Sequence, residues 1–195
     1  MAKLFFRYGA MGSSKTANAL MTRYNFIEKG KKALLIKPDI EIRDGKKKIK
    51  SRIGLEADCI LWSEFKEYDE EAIKELDAVV VDEAQFLSAE DIDRLSDMVD
   101  EYGVSIFCFG LRTDFTSHLF PGSRRLMELA DEIDELKTVC WCGNSANMTA
   151  RIDESGNIIR EGQQVLMGAN DRYVSLCRKH YKEGKIRKED SHENP

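Results

Sequence analysis

Gly9-Ala10-Met11-Gly12-Ser13-Ser14-Lys15-Thr16 lies directly behind the apolar run Leu4-Phe5-Phe6 and ahead of a stretch with helical spacing. The order is strand, loop of small residues, lysine, hydroxyl, helix. That order suits the phosphates of a nucleotide. Backbone N–H groups at a helix N-terminus face an anion, Lys15 neutralises the outer phosphates, and the Thr16 hydroxyl reaches a bound magnesium. Ser14 stands where the pattern G-x-x-x-x-G-K-[ST] expects its second glycine, and its Cβ comes close to the phosphates. A polar βα turn without a ligand is the competing reading, and the strand-to-helix context weighs against it.

Working outward, 195 residues suffice for one large domain or a domain with a small appendage, and 42% hydrophobic residues supply a core. The net charge of −5 gives no footprint for duplex nucleic acid. The cluster Lys46-Lys47-Lys48-Ile49-Lys50-Ser51-Arg52 reads as a solvated loop or as a phosphate-steering patch. No apolar run approaches the roughly 20 residues that span a bilayer, so no membrane partner is expected. The chain opens on a strand rather than a signal peptide, and a cytoplasmic location is expected. In a reducing compartment its five cysteines read as metal ligands or core residues before disulfides.

Strands are expected at 4–8, 33–36, 59–62, 78–81, 104–109 and 133–140, with helices at 15–29, 88–102 and 123–130. Residues 38–56 carry no period and read as a mobile loop. Alternating strands and helices give an α/β fold with a parallel sheet covered on both faces. Ligands in such sheets bind beyond the carboxyl ends of the strands, where Gly9, Asp82 and Gly110 collect. Residues 1–137 form the nucleotide-binding domain. Residues 138–181 read as a small β-rich appendage, with short strands at 148–152, 158–160, 164–167 and 172–176. Residues 182–195 read as a disordered charged tail.

Two clusters carry chemistry. Val79-Val80-Val81-Asp82-Glu83 is a buried strand ending in two acids. Asp82 is placed to hold the phosphate-bridging magnesium, which leaves Glu83 to take the proton of an attacking hydroxyl. The pair alone does not choose between water and a substrate alcohol. Cys140-Trp141-Cys142 and Cys177-Arg178-Lys179-His180 offer three sulfurs and an imidazole, a set for a closed, structural zinc site that ties the appendage together. Buried free cysteines beside a surface histidine are the alternative. Cys59 and Cys108, inside apolar runs, read as core.

The blocks GAMGSSKT, VVVDEAQF, GLRTDF, TVCWC and VLMGANDRYVSLCRKHY together resemble the cytosolic thymidine kinases that carry a zinc-binding lasso, from about residue 4 to residue 181. The resemblance implies a P-loop, RecA-like fold with a β-rich zinc lasso. It implies transfer of the ATP γ-phosphate to the 5′-hydroxyl of thymidine, with deoxyuridine also fitting. Glu83 matches the family's general base. Gly9 to Thr16 (Ala10, Met11, Gly12, Ser13, Ser14 and Lys15 between them), Asp82, Gln85 and Arg43 match its nucleotide and magnesium positions. Met11, Phe86, Leu111, Phe115, Thr149 and Tyr173 match the thymine pocket, and Val165, Leu166, Met167 and Gly168 the backbone that reads the base edge. Cys140, Cys142, Cys177 and His180 match the zinc ligands. A homotetramer, feedback inhibition by thymidine triphosphate and no nucleic-acid partner are implied as well. Either Arg43 or Arg151 would offset charge on the moving phosphoryl group. The sequence departs from the family at Ser14, at Glu41 where aspartate is usual, and in C-x-C with C-x-x-H in place of two C-x-x-C pairs.

Overall fold

The computed structural model of the protein describes residues 1–41, 45, 47–165 and 173–187. Its contacts divide into two units. One takes Met1–Gly9, Ser14–Arg112 and Leu119–Leu136; the other takes Ala10–Ser13, Thr113–His118 and the chain from Lys137 onward. Two short excursions from the first part of the chain, one of them the tip of the phosphate loop, thus belong to the second unit.

In the first unit, six strands make a sheet: β1 (Leu4–Tyr8), β2 (Ala33–Lys37), β5 (Ile60–Leu61), β6 (Ala78–Val81), β7 (Ser105–Gly110) and β8 (Glu132–Glu135). They stand in the order β5-β2-β6-β7-β1-β8, and every pairing is parallel. The period of two along each strand sorts side chains onto two buried faces. Leu4, Phe6, Val79, Val81, Ile106 and Cys108 face one core, and Ala78, Val80, Phe107 and Phe109 face the other. Burying a valine such as Val80 is worth roughly 1.5–3 kcal/mol against leaving it in water.

Helix α1 (Lys15–Glu28) covers the second face through Ala19, Leu20 and Phe26. The first face is covered by α2 (Trp62–Phe65), α3 (Glu70–Lys74), α4 (Ala89–Tyr102) and α5 (Pro121–Leu129). The start of α4 is fixed by a reciprocal capping box: the Asp91 N–H donates to Ser88 Oγ and the Ser88 N–H to Asp91 Oδ2, both at 3.1 Å. Helix α5 begins with Pro121 at its first position, two residues earlier than apolar spacing alone suggests. Among the described residues no helix is long and apolar enough to cross a membrane.

Of the mobile loop expected at 38–56, residues 42–44 and 46 lie outside the described residues, and the part from 47 onward is corrected by the structure. It holds β3 (Lys48–Lys50), paired antiparallel with β4 (Glu56–Asp58). The hairpin stays because Ile49 is buried in the α1-side core and because the buried Lys37 ammonium donates to the Gly45 and Lys48 carbonyls at 2.7 and 2.9 Å. Polar composition concealed it, since one buried residue is all that three strand positions present. Its lysines are paired on the surface, Lys47 with Glu64 and Lys48 with Glu56, which favours the solvated reading of the basic cluster.

The second unit contains an antiparallel sheet of β9 (Met148–Ile152), β10 (Ile158–Ile159) and β11 (Tyr173–Leu176), in the order β10-β9-β11. Helix α6 (Arg178–Glu183) follows and takes in Lys182 and Glu183, assigned from sequence to the tail. It is held by Tyr181, whose ring is buried and whose hydroxyl donates to the Phe115 carbonyl at 2.5 Å. Of the strand expected at 164–167, Gln164 and Val165 are described and lie outside any strand; Leu166 and Met167 lie outside the described residues.

Candidate active site

The loop after β1 is shaped by two left-handed residues. Gly12 has φ 75° and Ser14 φ 60°, with Ser13 between them outside that region. Alternation of this kind is the backbone pattern from which anion nests are built, and the Ser13 N–H here donates to the Ala10 carbonyl at 3.2 Å. Ser14 is also the N-cap residue of α1 and makes no side-chain capping bond. The sequence anticipates a crowding Cβ here; the structure locates its cost in the backbone, because the left-handed region costs a non-glycine residue about 1–2 kcal/mol. Gly9 N–H donates to the Gly110 carbonyl at 3.3 Å, which ties the loop's first residue to the end of β7. Lys15 is buried and its Nζ donates to the Gly9 carbonyl at 3.2 Å.

The two acids follow β6. Asp82 is buried, its N–H donates to the Ile36 carbonyl at 3.0 Å, and the Thr16 hydroxyl is hydrogen-bonded to its carboxylate. Burial, and then the neighbouring Glu83 carboxylate, push Asp82 up to about 7, while Thr16 and Lys15 pull the other way. The phosphate-loop lysine and hydroxyl and the first acid therefore form one cluster. Glu83 is left-handed (φ 54°, ψ 36°), a conformation uncommon for a residue with a long side chain and frequent at functional sites.

A short 3-10 turn, Ala84–Phe86, comes next. Gln85 in it is 1% exposed. Its Nε2 donates to Glu83 Oε2 at 2.5 Å, and its Oε1 accepts from the Leu111 N–H at 3.0 Å. The space is cleared by glycines: a Cβ on Gly110 would stand 2.6 Å from Gln85 Oε1, and one on Gly122 would stand 2.5 Å from the Leu87 carbonyl oxygen. Ser123, fully buried, donates through Oγ to the Leu111 carbonyl at 2.6 Å. The sequence reading puts Gln85 on the nucleotide. In the structure one amide hydrogen of Gln85 goes to Glu83 and its oxygen accepts from Leu111, while an amide carries a second N–H and a second lone pair. Phe86 is half-buried and meets Phe120 edge-on at 5.9 Å, and Leu111 is buried.

Within the second unit, the Met11 N–H donates to Thr149 Oγ1 at 3.1 Å, and the Ser175 hydroxyl donates to the Met11 carbonyl. Strands β9 and β11 thus hold the backbone of the loop tip. Arg151 is buried, with its guanidinium 3.8 Å from the centre of the Phe115 ring. Its Nε donates to the Tyr173 hydroxyl at 3.0 Å and its Nη2 to the Gln164 carbonyl at 3.2 Å. Asp114 accepts from Thr116, His118 and Gln164. Val165 is half-buried; Arg43, Leu166, Met167 and Gly168 lie outside the described residues.

Cys140, Cys142, Cys177 and His180 converge, with ligand atoms all within 4.8 Å of one another. Cys140 and Cys142 come from a tight turn closed by the Gly143 N–H on the Cys140 carbonyl at 2.8 Å, and Cys177 is the N-cap residue of α6. His180 Nδ1 lies 3.5 Å from Cys140 Sγ and 3.4 Å from Cys177 Sγ, and the Cys142 and Cys177 sulfurs are 4.0 Å apart. A zinc tetrahedron with bonds of about 2.3 Å to sulfur and 2.0 Å to nitrogen has edges of about 3.8 and 3.5 Å. The donor set and its spacing fit zinc. The Asn144 backbone N–H holds the Cys142 thiol below its ordinary range, towards the thiolate that zinc takes, whereas burial raises Cys140. Trp141 stacks on the His180 ring at 4.1 Å.

Comparison with known proteins agrees with this geometry. The family model described as thymidine kinase matches residues 2–181. A thymidine kinase of Haemophilus influenzae is 44% identical over 188 residues, spanning 94% of this chain and 97% of that protein. One of Photobacterium profundum is 44% identical over 190 residues (94% and 98%), and one of Rhodopirellula baltica 42% over 188 (94% and 89%). Among solved structures, a Pif1 helicase of Candida albicans aligns with a TM-score of 0.44 at 12% identity, over 71% of this chain and 36% of that one, too slight a likeness to bear on function. With the phosphate loop, the acid pair and the Cys/His cluster all inside the matched span, the chain belongs to the thymidine kinase family.

Proposed function

We propose that the protein transfers the γ-phosphoryl group of ATP to the 5′-hydroxyl of thymidine, and of deoxyuridine, in nucleotide salvage. The observation that carries this reading is the hydrogen bond from Thr16 to Asp82 beside the buried Lys15, with Glu83 next in the chain. In one in-line step the 5′-oxygen bonds to the γ-phosphorus, the bond from that phosphorus to the ADP oxygen breaks, and the hydroxyl proton passes to the Glu83 carboxylate. Lys15 and the loop N–H groups bind and orient the β- and γ-phosphates. Thr16 and Asp82 would hold magnesium, which would supply charge compensation for the phosphates.

Arg43 is the favoured residue for charge on the moving group. Arg151 is already committed to Tyr173 and Gln164, and its stacking on Phe115 suits a residue that fixes the lasso strands. For the thymine we assign Phe86 and Leu111 from the first unit. From the second we assign Met11, Phe115, Thr149, Tyr173 and the backbone of Val165, Leu166, Met167 and Gly168. A pyrimidine needs apolar walls with a few fixed polar partners, and within the second unit Met11 and Phe115 are of the first kind and Thr149 and Tyr173 of the second. Zinc on Cys140, Cys142, Cys177 and His180 is structural, since four protein ligands leave no open position.

Inhibition by thymidine triphosphate, a cytoplasmic location and assembly as a homotetramer belong to the same proposal. Met21, Tyr24 and Ile27, exposed along one side of α1, favour self-association. A coupled assay of ADP release across a nucleoside panel tests the function. ATP consumption should depend on thymidine or deoxyuridine and ignore purine nucleosides and single-stranded DNA. Consumption stimulated by DNA and indifferent to thymidine would overturn it.

A further inference from the structure

We propose that Gln85 is a positioning residue for Glu83: its amide, fixed on the Leu111 N–H, sets the orientation of the carboxylate that receives the proton. The inference rests on the reading of Glu83 as proton acceptor. The orientation of the amide follows from chemistry. A backbone N–H only donates, so Oε1 must face Leu111, and Nε2 is then turned towards the carboxylate, which accepts. Satisfying Leu111 alone would require only an acceptor; the donor end serves Glu83.

The surroundings are built around this amide. Gln85 is 1% exposed, and a Cβ at Gly110 would strike its oxygen at 2.6 Å, so β7 has no side chain where Gln85 passes. Leu111 is itself held by Ser123 at the start of α5, which makes the support rigid. Glu83 needs such a restraint. It is half-buried and left-handed, and fixing a long side chain in one rotamer costs conformational entropy that a pre-ordered contact meets in advance. A carboxylate held in advance meets the 5′-hydroxyl without that loss, and an error of about 1 Å in such placement can cost about 10²-fold in rate.

The test is a double-mutant cycle on the full-length protein with radiolabelled thymidine. Gln85→Met keeps the length of the side chain and removes both amide ends; Gln85→Glu keeps its size and an acceptor for Leu111 and replaces the neutral amide donor by a second carboxyl group facing Glu83. Each should lower kcat by about 10- to 100-fold with KM for thymidine and ATP unchanged. In the Glu83→Gln background the same changes should have no further effect on kcat. Equal losses in both backgrounds, or a rise in KM at constant kcat, would overturn the inference, and Gln85→Glu carries the test if the methionine variant does not fold. Near-normal turnover of Glu83→Gln alone would instead remove the proton-acceptor reading and this inference with it, and that result is visible in the single variant.

Discussion

The Thr16 hydroxyl is hydrogen-bonded to the Asp82 carboxylate, which joins the first turn of α1 to the residue that follows β6. These two residues lie 66 positions apart in the chain, and the parallel sheet brings them together because both follow the carboxyl ends of strands. Lys15, Thr16 and the acid pair are thus one cluster within the first unit.

Asp82 is costly to the ligand-free fold. Its folded pKa is raised to about 7, so the native state holds a proton that the unfolded chain has released. Stability from this group is present below the ordinary aspartate range and falls as pH rises to about 7, then levels off. Asp82→Asn should therefore stabilise the ligand-free protein above pH 7, by on the order of 1 kcal/mol, with the gap closing towards pH 4. Urea unfolding at several pH values checks this. The same variant should lose nearly all turnover, and a destabilised Asn variant at pH 8 would count against the account of Asp82.

Ser14→Gly relieves a left-handed residue. The expected gain is about 1 kcal/mol in urea unfolding, reduced slightly by the greater freedom of glycine in the unfolded chain. The KM for ATP should not rise. A loss of stability would show that the Ser14 side chain makes a contact worth more than its strain.

Zinc should be found at about one per chain in metal analysis of purified protein. Trp141 is one of only two tryptophans and lies on a ligand ring, so chelation should change its emission, while Trp62, buried in the first unit, stays constant. Cys140→Ser should lower the unfolding midpoint of the lasso sheet before that of the six-stranded sheet. Fully active protein without metal would dismiss the structural role.

Asp114 anchors the 113–118 loop. Burial works against its charge, but hydrogen bonds from Thr116, Gln164 and His118 win, and its pKa lies below the ordinary value. A lowered folded pKa gives stability that is present above the ordinary aspartate range and lost as pH falls through the folded value. Asp114→Ala should cost about 1–3 kcal/mol at pH 7 and progressively less below pH 4. A constant cost across pH would mean that volume, rather than charge, is what matters there.

Much of this was legible in the sequence because the signals were local and periodic. The valines of β6 announce a buried strand, Ser88 with Asp91 announces a helix start, and the small-residue loop before Lys15 announces a phosphate site. The hairpin Lys48–Asp58 was illegible because a single buried isoleucine among charges has no period. Trp62 reads as the end of a strand, yet it opens α2, since four-residue helices are specified by packing rather than by repeat. The contacts of Gln85 with Glu83 and Leu111 were not legible either. Its placement depends on Gly110 and Leu111, some 25 residues downstream, and no spacing rule links them.

The central claim is that the site built from Thr16, Lys15 and Asp82 binds the nucleotide while Glu83 takes the proton. The most direct measurement sets the turnover of Glu83→Gln beside its ATP affinity from calorimetry. ATP affinity close to that of the unaltered protein, with kcat reduced by about 10²-fold or more, is the predicted result. Turnover within a few-fold of the unaltered protein would contradict it.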